Sequence, residues 1–256
     1  MNNTVAGPAA ILAGFRMIFT PGLKRFVIIP MICNVLLLTF FIWFGYGLFD
    51  RWVDGFIQSL PEWLSFVEWL IWPLVIIMTI GFVIYGFNAT TALIAAPFNG
   101  LLAEKVEQHL RPGVSFPQES MSELVVRALQ RELQKQWFFL KRVLLLLLIS
   151  FIPGLNIISP VLWLLFSVWM LSVQYLDYPM DNHQVGFHAM QRELKKRWWH
   201  TMGFGFTAWG CMFIPLINLL LMPAAVAGAT WLWVNQYSEP FSLEGGSDMK
   251  DVSEKL

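Results

Sequence analysis

About half of this chain lies in four stretches that carry no charged side chain. Residues 26–49, 69–103, 143–176 and 201–238 contain no Asp, Glu, Lys or Arg; they run to 24, 35, 34 and 38 residues and hold 131 of the 256. A spanning helix needs roughly 20 apolar residues, so each stretch is long enough to enter a bilayer. Soluble domains approach a quarter charged residues, whereas this chain has 13% charged, 57% hydrophobic and 16% aromatic residues, with 13 Trp and 22 Phe, a balance suited to lipid and its interfaces. The pattern predicts an all-α integral membrane protein.

The four stretches are not alike. The first follows Arg16, Lys24 and Arg25 as a signal peptide would, but it is too long and ends at Asp50-Arg51-Trp52 with no small-residue cleavage site. It reads as a retained transmembrane helix over 26–49. The second reads as one long span over 69–98, leaving the membrane at Ala96-Pro97-Phe98-Asn99-Gly100. The third and fourth carry breakers near their middles, Pro153-Gly154-Leu155-Asn156 and Pro215-Leu216-Ile217-Asn218. Two crossings and a turn need more than about 40 residues, so each is expected to be a re-entrant, hemi-penetrating helical hairpin (137–176 and 198–237), its turn shielded from lipid by protein. Residues 1–238 are then a single membrane domain, and 239–256 a mobile polar tail.

The hairpins belong to an internal repeat. Arg131-Glu132-Leu133-x-Lys135-x-Trp137 recurs as Arg192-Glu193-Leu194-x-Lys196-x-Trp198, and Phe151-Ile152-Pro153-x-x-Asn156 as Phe213-Ile214-Pro215-x-x-Asn218. Broken helices in pairs are characteristic of transporters, where freed backbone meets a polar substrate; a duplicated packing element fits the same pattern. The helix leading into the first hairpin opens with a capping box, Ser120-x-x-Glu123, and carries an apolar stripe of Val125, Leu129, Leu133, Trp137 and Leu140. Its basic face (Arg127, Arg131, Lys135, Lys141, Arg142) is expected among lipid headgroups, as are Arg192, Lys195, Lys196 and Arg197 with Trp198 and Trp199 in the second copy.

With two spans and two hairpins, both termini and both long connections share one side, and 16 of the 17 basic residues fall there, only Arg51 lying in the opposite segment, 50–68. That side is predicted to be cytoplasmic. The chain has no Walker A loop, no His-Glu-x-x-His and no Gly-x-Ser-x-Gly, so no enzyme, cofactor or metal site is expected. His183 and His188, beside Asp177 and Asp181, read as a solvated loop. Cys33 and Cys211 read as small buried hydrophobes. The 17 basic and 17 acidic residues cancel, leaving no field for nucleic acid. None of the four stretches contains a carboxylate that would serve as a buried proton carrier.

The sharpest local pattern is Thr20-Pro21-Gly22-Leu23-Lys24-Arg25, just ahead of the first apolar stretch. Thr20 suits an N-cap and Pro21 a first helical position. Free amides at Gly22, Leu23 and Lys24, the positive end of the helix dipole and two adjacent cations together make an anion site of a size for a tetrahedral oxyanion. A cytoplasmic helix end anchored by Lys24 and Arg25 is the plainer alternative.

These residues resemble the CysZ sulfate permease family, within a broader group that includes etoposide-induced membrane proteins. The likeness runs from about Arg16 to Tyr237. It rests on Gly22-Leu23-Lys24-Arg25-Phe26-Val27, on Ala96-Pro97-Phe98-Asn99-Gly100-Leu101-Leu102-Ala103-Glu104-Lys105-Val106-Glu107, and on Tyr175-Leu176-Asp177-Tyr178-Pro179-Met180-Asp181-Asn182-His183. The resemblance implies sulfate uptake across the bacterial inner membrane for cysteine synthesis, by a homo-oligomer of membrane helices and half-crossing hairpins. The family's Gly-Leu-Arg-Arg sulfate-binding motif falls on Gly22, Leu23, Lys24 and Arg25, where Lys24 keeps the charge and loses the planar fork. A second polar group, Glu104, Glu107 and Arg111, is positioned to line an internal path or to form surface ion pairs. A scaffold docking partners through the basic amphipathic helices is the alternative function.

Overall fold

The computed structural model describes residues 6–58 and 65–238; the expected tail, 239–256, and residues 59–64 of the outer segment lie outside the described residues. The described residues form helices α1 (Ala6–Met17), α2 (Arg25–Gln58), α3 (Ser65–Leu110), α4 (Met121–Phe151), α5 (Ser159–Asn182), α6 (Phe187–Lys196), α7 (Trp198–Cys211) and α8 (Pro215–Leu232). A short 3-10 turn at Leu155–Ile157 precedes α5, and a π-helical segment at Trp233–Tyr237 follows α8. There is no strand among the described residues, as the all-α expectation requires.

The chain divides into two compact units, one formed by Ile28–Ala95 and the other by the segments on either side of it. In the first, α2 and α3 run antiparallel. Phe41 packs edge-on to Phe87 at 6.4 Å, and both Gly86 beside Phe41 and Gly45 beside Val83 are close enough that an added Cβ would meet the neighbouring side chain. Outward-facing Val35, Trp43, Ile77 and Tyr85 are exposed. Within α2, Arg25–Gly47 has mean hydropathy 2.4 and only 6% of its apolar window buried, the profile of a helix solvated by lipid. In α3 the described side chains give a shorter apolar stretch, Ile76–Phe87, while Ser159–Asn182 in α5 also meets the length and apolarity of a crossing helix. At 1.5 Å per residue α2 and α3 are roughly 50 and 70 Å long, more than the hydrocarbon core demands. The helix does not stop at Pro97: α3 continues to Leu110.

The second unit is built on α1, an element with no counterpart in the sequence reading. Its small residues let it lie against α7 and α8 nearly backbone to backbone. A Cβ on Gly7 would sit 2.3 Å from the Gly203 carbonyl carbon, one on Gly14 1.9 Å from the Ala224 oxygen, and one on Gly228 2.5 Å from the Ala10 oxygen. Helices in lipid gain their association from such close approach. Gly14→Ala is therefore expected to destabilise the folded protein by about 3 kcal/mol, read as a lower melting temperature in detergent; an unchanged temperature would contradict the α1–α8 contact.

Two helical hairpins complete this unit. α4 and α5 turn through Pro153-Gly154, where Gly154 takes φ +87°, and α7 and α8 turn through Met212–Ile214, with Pro215 opening α8. The repeated Asn156 and Asn218 both sit exposed at these tips, beside Phe151, Ile157, Phe213 and Leu216. The α7 arm is only about 21 Å long, short of the roughly 30 Å core. The capping box forms as expected: the Ser120 hydroxyl accepts from the Glu123 amide at 3.3 Å and the Ser120 amide donates to the Glu123 carboxylate at 2.8 Å; the donations from the Ser120 amide and, at 2.7 Å, from its hydroxyl lower the Glu123 carboxyl pKa. Ser120→Ala should cost about 1 kcal/mol, again measured by thermal melting.

Candidate functional site

The chain between α1 and α2 is a turn, and this corrects the expected geometry. Gly22 has φ +92°, outside helical space, so Pro21 is not the first helical residue and Thr20 is not the N-cap; α2 begins at Arg25. Nothing lies within 4 Å of where a Gly22 Cβ would be, so glycine is required here by the backbone alone. The Leu23 amide donates to the Thr20 carbonyl at 3.1 Å, and the next two bonds run from Phe26 to Leu23 and from Val27 to Lys24. The amides that find no backbone acceptor among the described residues are those of Gly22, Lys24 and Arg25, not the expected Gly22, Leu23 and Lys24.

The side chains divide in the same way. Leu23 is buried and anchors the turn, whereas Gly22, Lys24 and Arg25 are exposed. Neither cation has an acidic partner among the described residues. The Arg25 guanidinium rests 4.9 Å from the Phe26 ring centre, leaving its N–H edge open. Two unpaired cations, open amides and the first turn of a 34-residue helix thus occur within four residues, a chemistry that favours a compact oxyanion.

Elsewhere the basic residues behave differently from expectation. Arg127, Arg131 and Lys135, read as a headgroup face, point inward, while Leu133, Trp137 and Leu140 of the apolar stripe point out. The cause lies in α5. Asp177 and Asp181 are spaced by four, as are the three cations, so antiparallel α4 and α5 zip together. Lys135 reaches Asp177 at 3.3 Å, Arg131 reaches Asp177 at 2.7 Å and Asp181 at 3.6 Å, and Arg127 pairs with Asp181 and, at 2.9 Å, with Glu119. Glu132 adds a 2.8 Å contact to Lys135. Burial alone would lower the Lys135 pKa, but Tyr178, Asp177 and Glu132 outweigh it and the net direction is up. Asp177 and Asp181 are accordingly part of a buried network and not of a solvated loop. A cavity of about 20 Å³ beside them has room for one water, too little for a tetrahedral oxyanion.

Glu104, Glu107 and Arg111 do not form one group. Glu107 is buried and shares a 2.9 Å hydrogen bond with His183, whose ring lies between Phe116 and Trp233 with centres 5.2 and 5.3 Å away. Arg111 donates to the Val234 carbonyl and, at 2.7 Å, to Ser238. Glu104 alone of the three lines a cleft of about 460 Å³, which it shares with Gln108, Phe116, Glu119 and Arg127. Two carboxylates there make the cleft a poor place for a dianion.

Comparison with known proteins agrees with the resemblance in the sequence. Residues 10–223 match the family described as Sulfate transporter CysZ/Etoposide-induced protein 2.4. The chain is 44% identical over 238 residues to a sulfate transporter CysZ of Pseudomonas aeruginosa (strain LESB58), spanning 92% of this chain and 97% of that one. It is 43% identical over 235 residues to the one from Pseudomonas fluorescens (strain Pf0-1), covering 91% and 94%. The figure is 41% over 240 residues for Pectobacterium atrosepticum, covering 92% and 87%.

Proposed function

We propose that this chain, which belongs to the Sulfate transporter CysZ/Etoposide-induced protein 2.4 family, moves sulfate across the bacterial inner membrane into the cytoplasm for assimilation into cysteine. The observation that carries this reading is the exposed Gly22-Leu23-Lys24-Arg25 turn at the head of α2. Sulfate is held there by the Lys24 ammonium, the Arg25 guanidinium and the open amides of Gly22, Lys24 and Arg25, with Leu23 fixing the turn from below. A doubly charged tetrahedral anion at a helix start gains from the dipole, from charge-assisted hydrogen bonds and from both cations together.

The rest of the fold serves passage. The apolar surfaces of α2 and α3 face lipid, and the two hairpins, with exposed apolar tips, enter the membrane without completing a crossing and meet a second copy of the chain in a homo-oligomer. Both termini lie in the cytoplasm, the side that carries most Lys and Arg. The protein is a permease and performs no covalent chemistry. Expression in bacteria lacking their own sulfate uptake tests this: growth on sulfate as the only sulfur source should be restored, and growth on cysteine should need no expression. Failure to grow on sulfate with the protein in the membrane would refute the reading.

A further inference from the structure

The two repeat copies bury different sets of side chains. Aligned through Arg-Glu-Leu-x-Lys-x-Trp, the first copy buries Arg131, Glu132 and Lys135 and leaves Leu133 60% exposed, while the second buries Leu194 completely and leaves Arg192 and Lys196 outside. α6 turns Met190, Gln191, Glu193 and Leu194 inward. Arg192, Lys195 and Lys196, at i, i+3 and i+4, therefore share its outer face. Glu193 pairs with Lys196, and no acidic partner reaches Arg192 or Lys195 among the described residues.

Immediately beyond these cations the chain changes character. The helix breaks at Arg197, and α7 begins with Trp198 and Trp199, 43% and 68% exposed. Trp198 is held in place by stacking on Trp169 at 5.4 Å. From Thr201 no charged residue occurs for 38 positions, and Phe206 and Phe213 project outward along the arm. In the first copy the aligned cations Arg131 and Lys135 are taken up within the chain by Asp177, at 2.7 and 3.3 Å, and the position aligned with Lys195 is Gln134. A water-exposed face has no use for two neighbouring indoles, whereas cations, then indoles, then apolar surface is the order of layers in a lipid leaflet.

We infer that the α6–α7 elbow is a binding site for the headgroup of an anionic phospholipid. Arg192 and Lys195 take the phosphate group, Trp198 and Trp199 lie at the level of the glycerol backbone, and α7 descends among the acyl chains. The site differs from the Gly22-to-Arg25 turn in its residues and in its ligand, and it holds even if sulfate is not the substrate. It fixes how deep the second hairpin enters the membrane.

Native mass spectrometry of the full chain in neutral detergent, titrated separately with phosphatidylglycerol and phosphatidylethanolamine, tests this. Phosphatidylglycerol should bind on the order of tenfold more tightly, and Arg192→Gln with Lys195→Gln should erase that preference. Lys105→Gln, a cation elsewhere on the chain, should leave it intact, and so should Arg192→Lys with Lys195→Arg, which separates charge from any loss of folding. Equal binding of the two lipids, or an unchanged preference in the glutamine variant, would overturn the assignment. Displacement of phosphatidylglycerol by inorganic phosphate at matched concentration would also overturn it, making the elbow a free-anion site.

Discussion

Alanine at both Lys24 and Arg25 is expected to abolish sulfate binding and to reduce uptake to the level of protein-free liposomes. Each charge-assisted hydrogen bond is worth about 1.5–3 kcal/mol, about tenfold to a hundredfold in affinity, and both are lost together with the local positive charge. The fold should be unaffected, because both side chains are exposed and neither is in an ion pair among the described residues. The single variants should each retain part of the affinity. Lys24→Arg should bind more tightly than the natural chain, since a guanidinium offers two parallel donors to one oxyanion where an ammonium offers a point charge. Equilibrium binding of radiolabelled sulfate to the purified variants checks the order; a double variant that binds as the natural protein does would remove the turn from the account.

The second large effect concerns the inward charges. Asp177→Ala should destabilise the protein by about 3 kcal/mol, because it removes the buried carboxylate that Arg131 and Lys135 share and leaves Arg131 with Asp181 at 3.6 Å and Lys135 with Glu132 at 2.8 Å. Asp177 is 1% exposed and touches both cations. Arg131 also lies against the Phe187 ring at 5.1 Å and Lys135 against Tyr178 at 4.4 Å, so the loss propagates to the start of α6. Thermal melting in detergent reads the effect. Melting within a degree of the natural chain would show that the network contributes little, and the antiparallel zipping of α4 and α5 would then need another cause.

What could be read from residues alone followed from where charge is absent. The apolar α2, the broken hairpins with Pro153 and Pro215 at their tips and the Ser120 capping box each leave a local signal, so each was legible. α1 was not, because Gly7, Ala10 and Gly14 add little to an apolar run, and their meaning depends on Ala224 and Gly228, more than 200 residues away. The inward turn of Arg127, Arg131 and Lys135 in α4 is hidden for a related reason. A helical wheel shows a basic face and an apolar face without saying which one is inside, and the answer lies in Asp177 and Asp181, about 50 residues downstream. Their shared spacing of four with Arg127, Arg131 and Lys135 was the available clue. At the candidate site the residues were legible and the backbone was not: the sequence suggests a free amide at Leu23, whereas the positive φ of Gly22 makes the turn that consumes it.

Purified protein in liposomes, given radiolabelled sulfate outside, shows whether the chain carries sulfate across a bilayer through the Gly22-to-Arg25 turn. Time-dependent sulfate accumulation above protein-free liposomes is expected for the natural chain and none for the Lys24→Ala, Arg25→Ala double variant. Accumulation at the protein-free level by the natural chain, or full accumulation by the double variant, would contradict this expectation.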